Sequence, residues 1–279
     1  MKQTLSIDLT YETLVLAEDI TYSRVGDWYD ATWQELKLDI ICPKFREGHA
    51  SQPCIVWICG GAFITERKDV WLPEMVDFAR MGYTVACVDY RTSDKAGFPA
   101  ALIDIKTAIR FLKAHAADFC IDPARIFTMG ESAGGTLASL AGVTAGSPEW
   151  EQGEWQDQDS TVAGVVDFYG LEDVEAVAGL TAENVPGWQM TAFLGDDPVK
   201  NMKLASSVNH VTADTCPFII FHGSADATVP VAQSESLYKR LTDAGVRADL
   251  YIVEGAIHGD PLFYQPEVKS IIDRFLREC

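Results

Sequence analysis

Six short apolar runs limit what this chain can fold into. PCIVWICG (53–60), YTVACVDYR (83–91), RIFTMG (125–130), VAGVVDFYG (162–170), PFIIFHG (217–223) and ADLYIVEG (248–255) are rich in β-branched and aliphatic residues, with little polar interruption. Strands of this kind suit a parallel sheet covered on both faces. Helical patterns fall between them. PAALIDIKTAIRFLKAHAADF (99–119) opens on proline and repeats Leu102, Ile105, Ile109 and Leu112 at helical spacing. VAQSESLYKRLTDAG (231–245) ends on glycine, a favoured helix stop, and PEVKSIIDRFLREC closes the chain. Strand–helix alternation predicts an α/β fold, a doubly wound and mostly parallel sheet with helices on both faces. Ligands of such sheets bind beyond the carboxyl ends of the strands. No repeat or low-complexity linker divides the sequence, so one domain over 1–279 is expected.

Composition narrows the partners. The net charge of −19 argues against nucleic acid and fits a solvated acidic surface. Seven scattered cysteines without a C-x-x-C argue against a disulfide framework and a zinc site, and Cys54, Cys59 and Cys87 read as small buried hydrophobes. The first twenty residues carry acidic groups where a signal peptide needs an apolar core, and no apolar run reaches membrane-spanning length. A reducing, cytoplasmic protein with no membrane partner is expected.

One corner carries chemistry. In RIFTMGESAGGTLASL (125–140), a strand runs into Gly130-Glu131-Ser132-Ala133-Gly134 and leaves as a helix of small residues. A strand–G-x-S-x-G–helix corner is a nucleophile elbow, whose sharp turn tolerates only tiny neighbours and lifts the serine hydroxyl above the sheet. A serine needs a base, and the base needs a carboxylate, in the chain order Ser, Asp/Glu, His. Asp226 lies just past the strand of PFIIFHGSADATVP. His258 lies just past the last strand and is the only histidine beyond Asp226. His49 and His115 fall in a polar loop and on a helix, and His210 precedes a strand. His222 ends a strand, where support or packing is expected rather than chemistry. The oxyanion of an acyl-transfer intermediate needs two backbone donors. Ala133 supplies one. The loop CGGAF (59–63), after an earlier strand, supplies the other from Gly61 or Ala62.

Together these motifs resemble the esterase/lipase group of α/β-hydrolases. The closest likeness is to the branch with H-G-G-[AG]-[WF] and G-[ED]-S-A-G-G that includes acetyl esterases, feruloyl-type esterases and kynurenine formamidase-like enzymes. DYR (89–91), FPAALIDIKTAIRFL, IDPARI, GESAGG, HGSADATVP and EGAIHG extend the likeness from about residue 33 to the end. The resemblance implies a serine carboxylesterase working through an acyl-enzyme, with no cofactor and a small ester as substrate. With no large cap to shelter a long acyl chain, short acyl groups are expected, on an acetylated sugar or another small polar ester. An arylformamidase is the alternative on the same machinery, and a binding protein on this fold would normally lack a triad member. Two departures stand out. The branch's usual histidine before the glycines is Cys59 here, which implies different loop support. The N-terminal residues read as strands (YSRVGDWYD, TWQELKLDIICP), so no large N-terminal cap is expected.

Topology places segments 59–70, 91–99, 170–210, 223–230 and 255–266 on the active-site face. The acidic, tryptophan-bearing loop 147–161 belongs on the far face by the same logic. Segment 170–210 is long for a connection and is the candidate lid. Phe63, Trp188 and Met190 are candidate substrate contacts, with Phe193 beside them; ordinary packing is the alternative for each.

Overall fold

The computed structural model describes residues 1–279 apart from 9, 11, 28, 30, 45–49 and 178–186, so His49 lies outside the described residues. Each apolar run forms a strand. The strands are β1 (Leu14–Gly26), β2 (Trp33–Pro43), β3 (Gln52–Ile58), β4 (Thr84–Val88), β5 (Ile121–Glu131), β6 (Gly164–Phe168), β7 (Phe218–Gly223) and β8 (Ala248–Val253). They make one sheet in the order β1-β2-β4-β3-β5-β6-β7-β8. β2 pairs antiparallel with both β1 and β4, and every other pairing is parallel. The α/β-hydrolase architecture expected from the sequence is present.

Strand alternation builds two cores. Cys54, Val56 and Ile58 of β3 face one layer while Ile55 and Trp57 face the other. The first layer takes α2 (Ala100–Ala114), α3 (Ala133–Val143) and α6 (Ala232–Asp243) through Leu102, Ile105, Leu137 and Leu241. The second takes α1 (Leu72–Arg80) and α7 (Pro266–Glu278) through Met75, Phe78, Ile272 and Phe275. Cys54 and Cys87 are fully buried among apolar neighbours, as their surroundings in the sequence suggest. Two short helices, α4 (Trp188–Leu194) and α5 (Pro198–Leu204), follow β6 in the segment read as a lid.

Several boundaries differ from the sequence reading. β1 begins at Leu14 rather than Tyr22, because pairing with β2 from Leu14↔Pro43 onward extends it. β5 begins at Ile121, held by the pairing of Ile121 with Gln52. Helix α1 has too short an apolar stripe to announce itself in the sequence.

The largest correction concerns the loop 147–161. It lies along the flank of α2, not on the far face. Lys106 and Arg110 of α2 are completely buried and need partners. Lys106 Nζ donates to the Thr144 carbonyl (2.9 Å), Glu151 Oε1 (2.8 Å) and Ser160 Oγ (3.1 Å). Arg110 donates to Glu151 Oε2 (2.7 Å) and to the Gln152 and Glu154 carbonyls. Burial pulls the pKa of both cations down, and Glu151 opposes it. Trp150 of the same loop reaches Phe98 at the start of α2, edge to face at 5.6 Å. Glu151→Gln should therefore destabilise the fold by about 2 kcal/mol in urea titration, since two buried cations lose their shared carboxylate. A change below about 0.5 kcal/mol would show that the carbonyls alone suffice.

Candidate active site

The chain turns from β5 into α3 at Ser132, whose φ of 55° and ψ of −121° are rare for any residue with a side chain. The corner closes only because Gly134 has no side chain; a Cβ there would collide with the Ile58 carbonyl. The Ser132 N–H donates to the Phe168 carbonyl of β6 (2.9 Å), which pins the turn to the neighbouring strand.

The structure brings Ser132, His258 and Asp226 into one line. The Ser132 hydroxyl donates to His258 Nε2 (2.8 Å), and His258 Nδ1–H donates to Asp226 Oδ2 (2.7 Å). Asp226 Oδ1 accepts the Thr228 and Val229 N–H groups (2.8 and 2.9 Å), which fixes the carboxylate and leaves Oδ2 for the imidazole. The Asp226 side chain is buried and that of His258 is 19% exposed. This network assigns the tautomer in which Nε2 is free to take a proton.

His222 sits beneath Asp226, completely buried. It donates from Nε2 to the Val229 carbonyl (2.9 Å) and accepts at Nδ1 from Ser234 Oγ (2.7 Å). Burial lowers its pKa, so it is a neutral prop for the turn that carries Asp226. His210 bonds the Leu204 carbonyl and His115 bonds Asp118; neither approaches Ser132.

A cavity of about 250 Å³ opens over Ser132. Ala62, Phe63, Ala133, Leu171, Val177, Gln189, Met190, Thr228, Val229 and Pro230 line it. Ala133 is the first residue of α3, so its N–H has no partner within the helix. Ala62 and Phe63 both adopt positive φ (55° and 62°), a concentration of strain at the loop facing the serine. Gly61 does not line the cavity. Its φ of 134° makes the turn, and its carbonyl accepts the Ile64 and Thr65 N–H groups. Phe63 stacks on Phe193 (3.7 Å, 13° between planes), and Phe193 meets Phe98 edge to face at 5.8 Å. Met190 is at the cavity. Trp188 is not; it is 64% exposed on the outer side of α4. The sequence reading placed segments 170–210 and 223–230 on this face but did not single out Leu171, Val177, Gln189, Thr228, Val229 or Pro230, which also line the cavity.

The BD-FAE family profile matches residues 38–241, nearly three quarters of the chain, including Ser132 and Asp226. The chain belongs to the BD-FAE family. It is similar to the probable carboxylic ester hydrolase LipM of Mycobacterium tuberculosis, at 30% identity over 84% of this chain and 53% of the relative. Among solved structures it is similar to a truncated form of carbohydrate esterase from gut microbiota, with 29% identity, a TM-score of 0.81 and 98% of each chain covered. It is also similar to Thermogutta terrifontis esterase 2 phosphonylated by cyclosarin, with 28% identity, a TM-score of 0.76 and 94% of each chain covered. The chain spans about half the length of the curated relatives it matches. Its fold is that of the α/β-hydrolases.

A second feature of this BD-FAE chain lies under the elbow. Asp167 at the end of β6 and Glu172 are completely buried. A Cβ on Gly170 would collide with a carboxyl oxygen of each, so the two carboxyls face one another across that glycine. Asp167 Oδ1 accepts the Gly170 N–H (3.0 Å) and Glu172 Oε2 accepts the Ser207 hydroxyl. Asp167 Oδ2 and Glu172 Oε1 have no partner among the described residues. Burial raises both pKa values, that of Asp167 to about 7, with Asp167 adding to the rise at Glu172. A raised folded pKa means the native state holds a proton that the unfolded chain releases near pH 4. That contribution is fully present below pH 4 and is lost as pH rises through about 7. Asp167→Asn should flatten the fall in stability between pH 5 and 8. Urea titrations should find the variant more stable than wild type at pH 8 by about 1 kcal/mol. An unchanged pH slope would show that the pair does not hold this proton.

Proposed function

We propose that this protein is a serine carboxylic-ester hydrolase that cleaves short acyl groups, acetate first, from carbohydrate or other small polar esters. The observation that carries the reading is the hydrogen-bonded line from Asp226 through His258 to Ser132, ending in the cavity beside the Ala133 and Ala62 amides. Ser132 attacks the ester carbonyl as His258 takes its proton. Asp226 holds the imidazole and stabilises its cation. The oxyanion is held by the Ala133 N–H and by Ala62 or Gly61. His258 then protonates the leaving alkoxide, and water enters by the same route in reverse to release the acid. This cycle is complete with the protein's own groups and water.

The acyl preference rests on size. A cavity of about 250 Å³ is smaller than most pockets that hold drug-sized ligands, and the Phe63–Phe193 stack stands as its wall. The sugar preference rests on the likeness to a carbohydrate esterase and on the charge carried by the loops 64–69 and 92–95 that follow β3 and β4. We read the described part of 170–210 as a fixed wall and partial lid. Among the described residues no helix is long and apolar enough to cross a membrane.

Ser132→Ala should cut kcat by more than about a thousandfold while leaving the urea midpoint nearly unchanged. A phosphonate should label wild type at Ser132 and leave the variant unlabelled, as judged by intact mass and peptide mapping. Labelling at another residue would reject the nucleophile.

Across p-nitrophenyl acetate, butyrate, octanoate and palmitate, kcat/KM should be highest for acetate or butyrate. A preference for octanoate or longer would reject the short-acyl reading. Acetate release from acetylated xylo-oligosaccharides is expected; turnover of N-formylkynurenine in its place would move the substrate to formamides.

A further inference from the structure

The sequence left the support of the oxyanion loop open, because Cys59 stands where a histidine is usual. The structure offers a different holder. Glu131, the residue before the nucleophile, turns its carboxylate toward that loop and is 9% exposed. Its Oε1 accepts the Gly60 N–H at 2.6 Å, whereas the Cys59 thiol is 3.9 Å from the same oxygen. A Cβ at Gly60 would collide with this carboxylate, so glycine and acid are fitted to each other. The Tyr90 hydroxyl holds the Cys59 carbonyl from the other side (2.8 Å).

The same carboxylate reaches the catalytic line by a second route. Burial raises the pKa of Glu131, while the Gly60 N–H, the nearby His258, the Trp71 indole and the Tyr169 hydroxyl all draw it back. Tyr169 packs the edge of its ring against His258, with centroids 4.7 Å apart. Tyr264 joins the group, stacked on Trp71 at 4.5 Å and with its hydroxyl 3.4 Å from that of Tyr169. Glu131 therefore meets the loop that bears Ala62, beside the aromatic group whose Tyr169 backs His258.

We propose that Glu131 is a positioning residue that holds the oxyanion loop in register with Ser132. The carboxylate fixes Gly60, and two residues on, the Ala62 amide is aimed at the developing oxyanion. Such an interaction gains its value in the tetrahedral state and contributes little to substrate binding. The inference rests on Ser132 being the nucleophile.

The test compares Glu131→Ala, Glu131→Gln and wild type with p-nitrophenyl acetate and with a short alkyl trifluoromethyl ketone. Ser132 adds to the ketone carbonyl and its proton passes to His258, leaving an oxyanion in the loop. The alanine variant should lose about a hundredfold in kcat, with KM within about threefold. Its affinity for the ketone should weaken by the same factor. The glutamine variant keeps an acceptor for Gly60 but offers an amide to Trp71 and Tyr169, so about a tenfold loss is expected in both readouts. A folded alanine variant with kcat within about threefold of wild type would overturn the proposal. So would a loss carried by KM, or unchanged ketone affinity beside reduced kcat. If the alanine variant shows no cooperative melt, the glutamine variant decides, and wild-type kcat and ketone affinity there would overturn the proposal. Wild type that a phosphonate fails to label at Ser132 would instead reject the proposed function, and this inference with it.

Discussion

The N-terminus of α3 lies against the end of β3 with no space for a methyl group between them: Gly134 meets the Ile58 carbonyl, and Gly130 meets Gly134. That approach sets the rest of the site. It brings the Ser132 corner beside the loop that begins at Cys59. It aims the first helical N–H groups at the space above the serine. The Ser132 N–H bond to Phe168 then ties the corner to β6, so the loop carrying Tyr169 is fixed by the same contact. A larger residue at either glycine would push the Ser132 corner away from the loop that begins at Cys59.

Around this packed corner the protein buries several ionisable groups. Lys106 and Arg110 lie under a loop that supplies Glu151, and Asp167 and Glu172 lie under α3. Buried polar groups are a weak route to stability and a stronger route to a unique arrangement, because an apolar neighbour cannot replace their partners. Here each group fixes a connection: the loop 147–161 in the first case, the start of the segment after β6 in the second.

Much of this was legible in the sequence, for specific reasons. The six parallel strands announce themselves because burial on both faces removes polar positions from them. Ser132, Asp226 and His258 could be singled out because strand ends and chain order restrict the search, and the structure sets the three side by side. What escaped were contacts between distant segments. No local pattern shows that Glu151 must fold back onto α2, or that Glu131 reaches Gly60. The side from which Trp188 leaves α4 depends on how a seven-residue helix sits on the body, which periodicity over so short a span does not specify. β1 was read too short because its register with β2 shifts twice, between Ala17 and Ile20 and between Thr21 and Ser23, which breaks the alternation.

The rings of Phe63, Phe193, Phe98 and Trp150 form one continuous column. Only Phe63, at one end, faces the cavity, while the far end is rooted in the loop clamped by Lys106 and Arg110. The position of that cavity wall is thus set by a strut of rings that runs back to the loop 147–161. A sequence change at Trp150, which does not line the cavity, would be transmitted ring by ring to the cavity wall. Selectivity in this scaffold can accordingly drift through substitutions that a comparison of lining residues would not detect.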